Sequence, residues 1–140
     1  MPHPIAYLSF NGNCAEAMRF YERALHGKLE VLMSGAQSPI AEQMPKEWAH
    51  RILHARLALG DGGLLFAGDC PADMPYEGIK GVSMTLNYAS VEEAEHAFSA
   101  LAEGGRVTMP MQPAFWARAW GMLVDRFGTS WIVNGELVPL

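Results

Sequence analysis

The apolar positions of this chain follow a strand pattern and then a helix pattern, and the pair occurs twice. Ile5 to Phe10 (IAYLSF) reads as a buried strand broken by Asn11-Gly12. Cys14, Ala17, Met18, Tyr21 and Leu25 then recur at three-four spacing, which makes one apolar stripe along a helix. Asn13 is placed to cap that helix, Glu16 stands where a capping-box acid belongs, and Gly27 ends it. The same grammar returns 77 residues on. Val82 to Asn87 (VSMTLN) repeats the strand, Ser90 and Glu93 the cap and its acid, and Val91, Ala94, Phe98 and Leu101 the stripe. Gly104-Gly105 is the second stop. An internal repeat says more about architecture than any single motif.

The strands that follow complete each copy. Lys28 to Met33, His54 to Leu59 and Leu64 to Ala67 read as strands, the last two joined by the hairpin turn Gly60-Asp61-Gly62-Gly63. Between the first two lies a polar, proline-bearing stretch, Ser34 to Arg51, longer than an ordinary connection. In the second copy Arg106 to Met111 is a strand, and its Pro110 predicts an edge position. Gln112 to Ala119 reads as an aromatic-bearing loop, and Gly121 to Asp125 with Trp131 to Asn134 as a last hairpin. The pattern is βαβββ twice, an α+β fold. The first module covers residues 1–70, a linker with Pro71 and Pro75 covers 71–80, and the second module covers 81–140.

Composition narrows the function classes. A chain of 140 residues can bury a full core without disulfides or a structural metal. The net charge of −5, with no basic run, argues against a nucleic-acid footprint. No apolar stretch approaches the roughly 18 residues of a membrane span, and the N-terminus lacks the pattern of a signal peptide. Two cysteines, Cys14 and Cys70, do not make a disulfide framework. The simplest expectation is a cytoplasmic protein with free thiols.

Several segments, in order, resemble the PhnB-like branch of the vicinal oxygen chelate (glyoxalase/bleomycin-resistance) superfamily. They are Phe10-Asn11-Gly12-Asn13 with Glu16-Ala17 and Phe20-Tyr21, then His54-Ala55, then Leu101-Ala102-Glu103-Gly104-Gly105. Trp120-Gly121-Met122 and Asp125-Arg126-Phe127-Gly128-Thr129-Ser130-Trp131 complete the series. The resemblance implies two βαβββ modules forming an open cup that holds a small molecule, often beside a divalent metal, and commonly a homodimer. This branch also often carries the label demethylubiquinone methyltransferase. A Rossmann-type methyltransferase needs a glycine-rich strand-to-helix loop, and the sequence has none.

The same resemblance places metal ligands on the first and last strands of each module. Here those slots hold Ala6, Tyr7 and Leu8, then Leu65 or Phe66. In the second copy they hold Ser83, Met84 and Thr85, then Ile132 or Val133. Divalent metals need carboxylates or imidazoles, so no metal and no other cofactor is expected.

The remaining candidates are side chains. His54 could donate or accept a proton near neutrality, or it could serve as a strand-end histidine bonded to a backbone carbonyl. Asp69 and Glu136, each following a strand and a glycine, could face one cleft as acid and base, or they could be turn residues. Asp125 is expected to hold its turn by accepting backbone N–H bonds, and Cys14 to pack in the core. Phe115, Trp116 and Trp120 supply more aromatic surface than one short loop needs to bury, which points to a ligand-binding wall or a dimer interface.

These features favour a small-molecule binding or sequestering protein without turnover. The alternative is an enzyme of lyase, isomerase or dioxygenase type, or a metal-free acid/base catalyst built on His54 and a converging acid. A purely structural dimerisation module is a third reading.

Overall fold

The computed structural model describes residues 2–140 as two compact units that divide between Gly78 and Ile79. The first contains β1 (Tyr7–Phe10), α1 (Cys14–Ala24), β2 (Lys28–Ser34), β3 (Ile52–Ala58) and β4 (Leu64–Asp69). The second contains β5 (Ser83–Tyr88), α2 (Val91–Ala102), β6 (Arg106–Gln112), β7 (Ala117–Val124) and β8 (Ser130–Leu137). Each unit is a four-stranded mixed sheet, ordered β1-β4-β3-β2 and β5-β8-β7-β6. In each, the first and last strands run parallel and the other pairs antiparallel. This is the βαβββ repeat of the vicinal oxygen chelate fold. Pro110 lies on β6, an edge strand, where its missing N–H leaves no ladder bond unmade.

One face of each sheet packs against the helix of its own unit. In the first, Leu8, Phe10, Ala55, Leu57, Leu65 and Ala67 meet Cys14, Ala17, Met18 and Tyr21, all of them buried. The leucine, phenylalanine and methionine side chains among them each contribute roughly 1.5–3 kcal/mol on burial. Successive strand residues point to opposite faces. Tyr7, Ser9, His54, Arg56, Phe66 and Gly68 therefore line the face away from α1. In the second unit Trp131, Val133 and Leu123 pack toward Ala94, Phe98 and Leu101, which leaves Thr85, Asn87, Trp120, Met122, Ile132 and Asn134 on the opposite face.

The repeat carries a one-residue shift that the 77-residue offset hides. Phe10 and Asn13 are separated by Asn11-Gly12, whereas Tyr88 and Ser90 are separated by Ala89 alone. The helices match at 77, but buried Leu8 and Phe10 correspond to Leu86 and Tyr88, which share their inward face. On this register His54 corresponds to Trp120, Asp69 to Gly135 and Cys70 to Glu136.

The helix ends also depart from the sequence reading. Asn13 makes no side-chain cap bond. Asp69 reaches across from β4 instead and accepts the Gly12 N–H at 2.8 Å and the Cys14 N–H at 3.1 Å on Oδ1. At the other end His26, not Gly27, takes the left-handed conformation, with φ 54°. Gly27 is required by space, because a Cβ there would lie 2.7 Å from the Ala58 carbonyl oxygen. The second helix follows expectation more closely. Ser90 Oγ accepts the Glu93 N–H at 3.2 Å and donates to Glu93 Oε1 at 3.0 Å.

Ser34 to Arg51 contains three short 3-10 turns, Gly35–Gln37, Ala41–Gln43 and Lys46–Ala49. Among the described residues no helix is long and apolar enough to cross a membrane.

Candidate functional site

The face of the first unit turned away from α1 is built around His54. Its ring stacks at 6.4 Å from Tyr7 and meets Phe66 edge-on at 5.2 Å. The hydrogen bond to a strand-end carbonyl belongs to Tyr7, whose hydroxyl donates to the Leu53 carbonyl at 3.3 Å. The His54 side chain makes no hydrogen bond to any described residue. Tyr76 closes one side of this face by donating to the Ser9 carbonyl at 2.7 Å. The Tyr7 phenol is pushed above its ordinary value, first by burial and then by Cys14 and Asp69. Glu30 Oε1 lies 3.1 Å from Arg56 Nε.

Asp69 does not share this face. It is 8% exposed, and its second oxygen accepts the Ile52 N–H at 2.8 Å. Three backbone donors from two segments thus converge on one carboxylate, so Asp69 ties β4 to the start of α1 and to β3. It lies on the α1 side of the sheet, opposite His54. Cys14 sits beneath it, fully buried, with its thiol pushed up to about 12 by burial and secondarily by Asp69.

The corresponding face of the second unit carries the aromatic candidates. Trp120 lies within β7, not in a loop, and pairs directly with Asn134 on β8. Asn134 in turn pairs with Asn87 on β5. Phe115 and Trp116 precede β7, and the three rings form an edge-to-face ladder. Phe115 meets Trp116 at 4.8 Å and Trp116 meets Trp120 at 5.2 Å. Phe115 is 78% exposed, and the two tryptophans are half-buried.

A polar chain runs beneath the ladder. Trp116 Nε1 donates to Asn134 Oδ1 at 3.1 Å, and Asn134 Nδ2 donates to Asn87 Oδ1 at 2.9 Å. Glu136 pairs with Arg118 across the same strands and has φ 55°, a conformation rare for a side-chain-bearing residue. Glu136 corresponds to Cys70 rather than to Asp69, so the two acids are not a repeat-related pair. Asp125 holds its turn as expected, its Oδ1 accepting from Phe127 N–H at 2.8 Å and Thr129 N–H at 3.1 Å. Its Oδ2 also accepts Trp131 Nε1 at 2.8 Å.

Sequence reading passes over the side chains of Asn87 and Asn134, and weighs Tyr7 only as a metal-ligand slot. The signal available was asparagine at the end of two otherwise apolar strands (VSMTLN and WIVN), since asparagine is depleted in strands.

The slots where the resemblance places metal ligands hold Tyr7 beside Phe66 in one unit and Thr85 beside Ile132 in the other. A phenol, a phenyl ring, a hydroxyl and an aliphatic chain do not fit a divalent ion. Among the described residues no three His, Cys, Asp or Glu side chains gather closely enough to hold one.

Comparison with known proteins agrees with the fold. Residues 3–134 match the family described as 3-demethylubiquinone-9 3-methyltransferase. Protein YjdN of Escherichia coli (strain K12) is 30% identical over 136 residues, 91% of either chain. Protein PA1353 of Pseudomonas aeruginosa, a crystal structure, is 48% identical with a TM-score of 0.87, covering 96% of this chain and 97% of its own. A PhnB protein from Bacillus cereus, at 22% identity and TM-score 0.77, shares the fold over 95% of this chain and 98% of its own. The chain belongs to this PhnB-like family, and its fold is the vicinal oxygen chelate fold.

Proposed function

We propose that this protein binds or sequesters a small molecule on the aromatic face of its second unit, without a divalent metal and without turnover. The observation that carries this reading is the Phe115–Trp116–Trp120 ladder, which leaves Phe115 78% exposed while a side-chain hydrogen bond fixes Trp116. Large rings held in place supply contact area at little conformational cost, and a residue needed only for the core would not be left in solvent. Metal-free binding is supported by the side chains at the ligand slots. A homodimer, which the family resemblance implies, belongs to the same reading and is tested by sedimentation velocity.

The enzymatic alternative, a lyase, isomerase or dioxygenase or an acid/base catalyst using His54, has less support. Among the described residues of the first unit the one buried acid, Asp69, lies across the sheet from His54 and is engaged by three backbone N–H groups. Ligand-observed NMR with a set of neutral planar fragments tests the binding reading. Saturable binding that Trp120→Ala abolishes, with the fold intact, is the expected result; binding that survives this change refutes the assignment of the face.

A further inference from the structure

The polar chain under the aromatic ladder has a fixed direction, and that direction selects the ligand. An indole nitrogen can only donate. Trp116 Nε1, at 3.1 Å from the Asn134 side chain, therefore requires the carbonyl oxygen of that amide to face it. The Asn134 NH₂ must then point toward Asn87, which presents its own oxygen at 2.9 Å. Two consecutive amides are thereby locked in orientation by one donor-only ring. The end of the relay is the NH₂ group of Asn87, which is exposed and makes no hydrogen bond to any described residue. Trp120 Nε1 on the same face is likewise without a partner among the described residues. The only charges nearby on these strands, Arg118 and Glu136, neutralise each other.

We infer that this face recognises neutral, planar ligands that carry a hydrogen-bond acceptor, a carbonyl oxygen or a heteroaromatic nitrogen, and that Asn87 reads the acceptor. The inference rests on the binding reading above and adds the ligand's polarity to it. An acceptor at Asn87 completes the amide relay, each bond polarising the next. A donor in the same place meets another donor, and desolvating two N–H groups against each other is unfavourable. Asn87 and Trp120 flank β8, so their strands lie roughly 10 Å apart, a span that one fused ring system with a substituent bridges. Charged ligands gain nothing here, since no unpaired opposite charge offsets their lost hydration.

The test uses two rigid bicyclic probes of nearly equal size, quinoline with an acceptor nitrogen and indole with a donor N–H, titrated into the full chain. Wild-type protein should prefer quinoline about five-fold, the ratio one hydrogen bond gives. Asn87→Asp keeps an oxygen to accept from Asn134 but replaces the outward donor with an acceptor, so the preference should invert toward indole. Asn87→Ala should erase the preference while both probes still bind. Trp120→Ala should lose both probes, which reads the aromatic platform separately from the polarity. Equal affinities in wild type, both lost in Trp120→Ala, would overturn the polarity inference and leave the platform standing. No binding of either probe to wild type would overturn both.

Discussion

His54 and Trp120 occupy the same position in the two units. Each precedes the residue that pairs with the centre of its unit's final strand, Ala55 with Ala67 and Gly121 with Val133. Each faces away from its helix. The repeat therefore places an imidazole and an indole on equivalent sheet faces and surrounds them differently. Tyr7 and Phe66 flank the imidazole, and Asn134 pairs beside the indole. Duplication fixes the backbone site, and the neighbours decide its chemistry.

Asp69 should be costly to remove, as should Asp125, the other buried acid, which accepts from Phe127, Thr129 and Trp131. Asp69→Ala leaves the N–H groups of Gly12, Cys14 and Ile52 without their acceptor, two of these three bonds being buried. At roughly 1–3 kcal/mol for each orphaned buried donor, a loss of about 3 kcal/mol or more is expected in urea denaturation. A loss below about 1 kcal/mol would mean that water replaces the carboxylate freely.

The two helix caps should respond in opposite ways. Asn13→Ala removes no cap bond and should change stability by less than about 0.5 kcal/mol. Ser90→Ala removes the bond from Glu93 N–H and should cost about 1 kcal/mol. Equal effects from the two changes would contradict the substitution of Asp69 for Asn13 as the first helix's cap.

Alkaline pH should weaken the fold through Cys14. Burial, and secondarily Asp69, pushes its thiol from the ordinary 9.0 up to about 12. The folded protein therefore holds a proton that the unfolded chain releases, so the stabilisation is complete below pH 9.0 and is lost as pH rises toward 12. Tyr7, Tyr76 and Tyr88, whose pKa values are also raised above 10.0, add to the loss only at higher pH. Melting temperatures between pH 9 and 10 should fall for wild type and more gently for Cys14→Ala. Parallel slopes would remove Cys14 from the account.

Elemental analysis of protein purified without chelators or metal-binding tags should find only sub-stoichiometric divalent metal. Addition of zinc, manganese or nickel should leave the melting temperature unchanged. One metal per chain with matching stabilisation would contradict the absence of ligands at the Tyr7–Phe66 and Thr85–Ile132 slots.

Much of the fold was legible because periodicity changes from strand to helix with little ambiguity, as in IAYLSF followed by the Cys14–Leu25 stripe. Pro110 gave the edge strand through one missing N–H. What escaped was whatever depends on contacts distant in sequence. The capping of α1 by Asp69 joins residues 55 or more apart in the chain, and Asn13 offered a plausible local substitute. The missing residue before Ser90 shifts the strands but not the helices, so an offset fitted to helices paired Asp69 with the wrong partner. From sequence Trp120 reads as a loop residue, because three aromatics and two prolines obscure the alternation of β7. Asn87 and Asn134 were visible only as polar residues at strand ends, and their hydrogen bond exists only once β5 and β8 pair.

The measurement that bears most directly on the account is the indole N–H region of a ¹H–¹⁵N spectrum during titration with quinoline. Of the four tryptophans, Trp116 and Trp120 should shift saturably. Trp131, buried and bonded to Asp125, should hold still. Shifts confined to Trp48 or Trp131, or no shift at any indole, would contradict a ligand face built on Trp116 and Trp120.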